Sequence, residues 1–152
     1  MRDPGSGSAR ILVAYYGFIQ VLHLIAIGRA TVVLQTSGEM TFPAPPPAGG
    51  WSPQAEHFFV GVGAIDALNA VIALVFVYGF LKGARWRGWL GTLTLTVTAY
   101  SALLFAFATL PTGAWTVRPV EYLIIVVVFA PVLMLMMAFG YWLVTGRLRE
   151  RE

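Results

Sequence analysis

Four stretches of this chain are apolar for long enough to cross a lipid bilayer, and nothing else in the sequence constrains its fold as strongly. A hydrocarbon core about 30 Å thick needs roughly 20 mostly apolar residues of helix. Runs of that length, each bounded by charge, Gly or Pro, extend over about 11–34, 57–81, 88–110 and 120–145. Composition agrees: 58% of the 152 residues are hydrophobic, 11% are charged and the mean hydropathy is +0.75. Soluble domains lie nearer half apolar and a quarter charged, and a chain this short has too little interior to hide the excess. The expectation is an all-α integral membrane four-helix bundle over residues 11–146, with an N-terminal tail over 1–10 and a basic tail over 147–152.

The first span has the look of a signal peptide, but its apolar stretch is too long, the charge before it is mixed (Arg2, Asp3, Arg10) and no small-x-small cleavage site follows. It reads as a retained helix. Arg2, Arg10, Lys82, Arg85, Arg87, Arg147, Arg149 and Arg151 all fall on one side of a four-pass layout, leaving Arg29 within the first span and Arg118 in the third loop. The excess of positive charge predicts that both termini are cytoplasmic. Trp86, Trp89 and Trp142 fall at the inner boundary and Trp51 and Trp115 at the outer one, as an aromatic belt would. The membrane is the plasma membrane in a prokaryote and the endoplasmic reticulum in a eukaryote.

The long first loop contains Pro43, Pro45, Pro46, Pro47, Gly49, Gly50 and Pro53. Such a segment is extended and polyproline-like; it is either a plain linker or a lid over the outer mouth, with Trp51 and Met40 dipping back.

Several chemistries are excluded or disfavoured. Without cysteine there are no disulfides, thiolate zinc sites or iron–sulfur clusters. The net charge of +3 comes from scattered residues and not from a patch with interleaved aromatics, so nucleic acid is not an expected partner. Bis-histidine haem needs two imidazoles at one depth, but His57 lies at the outer boundary while His23 lies mid-span. The sole lysine, Lys82, is at an interface, which disfavours a retinal Schiff base. No cofactor and no metal are expected.

Polar residues inside the spans carry the functional argument, because each is costly in lipid. At about 1.5 Å of rise per residue, His23, Asn69 and Tyr100 come out at one depth and Asp66 about one turn away, so the four meet in a mid-membrane belt. Gln20 lies one turn below His23 on the same face. An aspartate this deep must be protonated, paired or exposed to a water-filled cavity, and pairing with His23 or Arg29 is the structural alternative to a ligand or proton role. Facing His23, it forms a candidate acid/base pair, Asp66 and His23. Arg29 lies about 9 Å above His23 on another face, and snorkelling to the outer surface is its expected fate. Glu121 opens the fourth span, where a carboxylate favours the helix dipole. Pro131 frees the carbonyl of Val127, and the expected kink splays the bundle. Met134, Met136 and Met137 beyond it are soft lining or core filler.

Tyr78-Gly79-Phe80-Leu81-Lys82-Gly83 with Trp86, Glu121-Tyr122-Leu123 and Val128-Phe129-Ala130-Pro131 resemble the EXPERA family, which includes the sigma-two receptor and the emopamil-binding sterol isomerases. The resemblance covers the layout of most of the chain and about twenty residues in identity. It implies a bundle with an intramembrane cavity opening sideways to lipid and binding sterol-like or cationic amphiphilic molecules through buried carboxylates; in the isomerases a similar cavity moves a double bond by adding one proton and removing another. His23 matches the family's first-helix histidine, Glu121 the glutamate before helix four and Ala130-Pro131 the kink. The first-helix aspartate falls near Thr31 here and the helix-two glutamate one position from Asp66, so the two-carboxylate pair is not reproduced.

The combined expectation is a protein that binds a sterol- or isoprenoid-like molecule, with Asp66 as polar anchor, Gln20, Asn69, Tyr100, Glu121 and Pro131 around it, and Asp66 and His23 as an acid/base pair if the molecule is an alkene that is isomerised. Membrane lipids and the ligand are the expected partners. The alternative is an accessory subunit of a larger membrane complex, or a homodimer, with the polar residues buried against partner helices.

Overall fold

The computed structural model describes residues 5–41 and 44–148; Arg2, Asp3, Pro43, Arg149 and Arg151, used in the orientation and loop arguments, lie outside the described residues. The chain forms α1 (Gly7–Ser37), α2 (Pro53–Lys82), α3 (Arg87–Thr109), a 3-10 turn (Leu110–Thr112), the short α4 (Ala114–Val117) and α5 (Pro119–Val144), with no strand among the described residues. Four helices, α1, α2, α3 with its following turn, and α5, are long and apolar enough to cross a membrane. The fold is that of a multi-pass, all-helical membrane protein.

Local chemistry sets the helix ends. Ser6 accepts a hydrogen bond from the Ala9 amide at 3.4 Å and starts α1 at Gly7, so residues 7–10 of the expected tail are helical. Ser52 caps the Ala55 amide at 3.2 Å, and Pro53, whose φ is already helical, starts α2 four residues before the expected His57. Gly38 and Gly83 close α1 and α2 at φ 73°, a left-handed conformation only glycine adopts without strain. The strap between α1 and α2 therefore shortens to residues 38–52.

α2 packs along both α1 and α3, whereas α5 touches α1 and α3 over shorter stretches. Each helix turns one stripe of positions inward at helical spacing: Ala9, Val13, Tyr16 and Gln20 on α1; Phe59, Asn69, Ala73, Phe76 and Phe80 on α2; Thr94 and Thr98 on α3; Tyr122, Val132, Leu135, Phe139 and Trp142 on α5. The remaining faces expose large apolar side chains such as Ile25, Leu68, Phe107 and Val127. Around a soluble protein that surface is untenable; toward lipid it is the expected one.

At the end that carries the termini, Phe76 meets Phe139 edge-on at 5.6 Å and Phe80 at 5.8 Å, and Phe80 stacks on Trp142 at 6.2 Å. Gly91 of α3 faces this block so closely that a Cβ there would collide with the Phe139 and Phe76 rings. At the opposite end the strap folds back. Ala44 and Trp51 are buried with Phe59, Ala114 and Tyr122, with Met40 packed beside them, and the Tyr122 hydroxyl donates to the Pro45 carbonyl at 3.1 Å. Residues 44–51 of the strap thus pack over that end of the bundle, with Trp51 and Met40 turned back onto it. The aromatic belt is corrected in part: Trp51 and Trp142 are buried in the two cores, Trp86 packs on Gly79, and Trp89 points outward. A tryptophan near a helix end suits a core as well as an interface, because its bulk fills space between splayed helices.

Candidate functional site

Between the aromatic block and the strap the bundle encloses a cavity of about 800 Å³. Its volume follows from residue size. The inward positions at this level include Ala26 on α1 and Ala102 and Ala106 on α3, where the terminal end carries aromatic rings. The far wall is apolar, formed by Ile125, Val126, Phe129 and Leu133 of α5. Leu22 and Ile25 on α1 and Val126, Val128 and Leu133 on α5 line the cavity and are also exposed on the outside, so its mouth lies sideways between α1 and α5. Toward the strap, Phe59, Phe105 and Trp115 close it, backed by Trp51 on Phe59 at 5.0 Å and Trp115 on Tyr122 at 4.7 Å.

The polar residues gather on the α1–α2–α3 side. His23 Nε2 lies 3.6 Å from Asp66 Oδ2, within ion-pair reach but too long for a direct hydrogen bond. The Ser101 hydroxyl donates to Asp66 Oδ1 at 2.5 Å. The side chains of His23 and Asp66 are 34% and 13% exposed, so the carboxylate sits in the wall and the imidazole reaches further into the opening. The structure thus realises the pairing of Asp66 with His23 and not with Arg29.

Below them runs a network that forms the floor. Asn69 Nδ2 donates to Thr98 Oγ1 at 2.9 Å, Thr98 donates to the Thr94 carbonyl at 2.8 Å, and the Tyr16 hydroxyl meets Thr98 Oγ1 at 2.7 Å and Thr94 Oγ1 at 3.0 Å. Thr98 then accepts twice and donates once, which saturates its oxygen. Asn69 Oδ1 is buried and has no hydrogen-bond partner. Gln20, also buried, completes the cavity wall.

The expected site residues divide. His23, Asp66, Asn69 and Gln20 come together as the depth argument predicts. Tyr100 does not join them: it is 62% exposed on the outside of α3. Two residues from Thr98 on a helix is roughly 200° of rotation, so equal depth did not mean equal face. Glu121 lies in the first turn of α5 with its carboxylate 3.4 Å from Arg118, away from the cavity. Pro131 is part-buried within α5 and is not in the cavity wall, although its neighbours Phe129 and Leu133 are. Near it, the Tyr15 hydroxyl donates to the Val128 carbonyl at 2.7 Å, tying α1 to α5 just below the mouth. Arg29, expected to snorkel to the outer surface, is exposed and also borders the cavity. It belongs to the stripe Ile19, Leu22, Ala26, Arg29 and Val33, which faces the gap toward α5.

Ser101, Thr94 and Thr98 belong to the polar wall and floor without standing out in the sequence. Their i, i+4, i+7 spacing on α3 was a readable signal, but hydroxyls in a membrane helix satisfy themselves on the backbone and so do not advertise a site. Among the described residues no group of three or more His, Asp or Glu side chains could hold a metal ion. Compared with known protein families, characterised proteins and solved structures, the chain matches none.

Proposed function

We propose that this protein binds a hydrophobic, sterol- or isoprenoid-like molecule in the cavity, with the Asp66, His23 and Ser101 cluster as its polar anchor. The observation that supports this reading most is the asymmetry of the cavity: an apolar α5 wall faces a polar wall across a space of drug-sized volume, with the mouth toward lipid. The likeness to the EXPERA family points the same way through His23, which lies in the wall. Glu121, the other carried-over acid, is turned to Arg118, so recognition would rest on one carboxylate. In the same reading both termini face the cytoplasm, by the clustering of basic residues at their end, and a kink at Pro131 holds the mouth apart.

The test is lipid retention through purification in mild detergent, read by native mass spectrometry, for the wild type and Asp66→Asn. A lipid-like adduct retained by the wild type and lost from the variant is expected; the same adduct profile in both would sink the proposal. If the isolated chain never purifies as a monodisperse species, the accessory-subunit reading takes its place.

A second reading, isomerase-type proton transfer, is favoured by the closeness of His23 and Asp66. Both groups lie on one wall, so one face of an alkene would receive a proton from Asp66 and lose one from a neighbouring allylic carbon to His23, and the proton would then return from His23 to Asp66. Incubation with candidate sterol or carotenoid alkenes in heavy water tests this. Deuterium appears in the recovered alkene if transfer occurs, and its absence rules the reading out.

A further inference from the structure

The charges around the cavity are unequally provided for. Asp66 has Ser101 on one oxygen and His23 near the other. Arg29 lines the same cavity, and the two ion pairs among the described residues, His23–Asp66 and Arg118–Glu121, do not include it. A guanidinium stays charged and offers five N–H donors, and in lipid it must reach water or find an anion. Arg29 stands eight residues before the end of α1, about 12 Å along the axis by the rise of a helix. Its neighbours in the wall, Ile25, Ala26 and Val33, are apolar, and Asp66 is the only carboxylate lining the cavity among the described residues.

We infer that the molecule held in the cavity carries an acidic head group, a carboxylate or a phosphate, that pairs with Arg29 beside the mouth while its apolar body lies against α5. A forked guanidinium takes either group with two parallel hydrogen bonds, and the low dielectric around it strengthens them. A cationic head finds a like charge at the mouth and an acid already partnered further in. This inference rests on the cavity-binding reading, in which the Asp66, His23 and Ser101 cluster meets the molecule's inner polar part, and adds an acidic group at the mouth.

The experiment uses four probes with one tail: tetradecanoate, tetradecyl phosphate, tetradecanol and tetradecyltrimethylammonium. Each is titrated against the purified full chain in nonionic detergent by native mass spectrometry. The two acids are expected to bind about tenfold more tightly than the alcohol, and the cation most weakly. In Arg29→Gln the acids fall to the level of the alcohol; Arg29→Lys keeps part of the preference and shows that the chain tolerates change there. Narrowing the cavity with Ala102→Phe weakens binding of acid and alcohol alike.

Equal binding of all four probes, or an acid preference that survives Arg29→Gln, overturns the acidic-head assignment, and binding left unchanged by Ala102→Phe overturns the cavity as its seat. Binding of no probe, the alcohol included, overturns the cavity reading beneath it. Repeating the titration in phosphatidylcholine nanodiscs with and without phosphatidylglycerol separates the two sources of acid. Loss of the preference only with phosphatidylglycerol assigns the seat to a bilayer lipid's phosphate, and its persistence assigns it to a free amphiphile.

Discussion

The two halves of this bundle are built from the same four inward stripes, yet the half at the termini is solid and the half beneath the strap is hollow. In the solid half the stripes carry Tyr16, Phe76, Phe80, Phe139 and Trp142, all buried and in ring-to-ring contact. In the hollow half the corresponding turns carry Ala26, Ser101, Ala102 and Ala106, and the cavity lies between them and α5. The contrast teaches that the cavity does not come from missing apolar residues. It comes from where the large ones are placed, since lipid offers no hydrophobic drive to close a gap and side-chain packing must do so.

The comparison can be broken most forcefully by emptying the solid half. Phe139→Ala removes the ring that meets Phe76 and Trp142, and it should cost about 3 kcal/mol, seen as a large fall in thermal stability in detergent. Phe105→Ala in the hollow half should cost well under half of that, about 1 kcal/mol, because the ring already borders empty space. Equal losses would show that the two halves are packed alike.

Filling, the reverse operation, gives the next largest contrast. Ala73 is fully buried against the aromatic block, so Ala73→Phe should lower stability by about 1–3 kcal/mol through overpacking. Ala102→Phe has room and should leave the melting temperature unchanged or raise it. The strap should respond more gently. Tyr122→Phe deletes the hydrogen bond to Pro45, costs about 1 kcal/mol, and should speed amide exchange across residues 44–51 while leaving α2 and α3 untouched. Smallest of all, Tyr100→Leu on the outer face should stay within about 0.5 kcal/mol of wild type.

The four spans were legible because the bilayer sets one length scale and the apolar runs exceed it. The meeting of His23 with Asp66 was legible too, since two costly groups at one depth have every reason to pair. Tyr100 shows what depth alone leaves out: the rotation of each helix about its axis separates it from Asn69. Arg29, placed by rotation on a different face, is exposed there and borders the same wide cavity as well. The hollow itself could not be read from sequence, because alanine is common in every membrane helix and only the helix arrangement shows which alanines face one another. Trp51 and Trp142 were misplaced for a related reason, as a large ring near a helix end fits a boundary and a core equally.

The floor made by Tyr16, Thr94, Thr98 and Asn69, with the aromatic block beneath it, also bears on electrical insulation. A polar stripe running the full height of the bundle would let water file through and leak protons. Here the hydroxyls spend their donors and acceptors largely on one another, and the rings below leave nothing for a water chain to bind. The cavity is therefore blind on the side of the termini, and under the proposed function a guest would occupy it without opening a path for protons through the bundle.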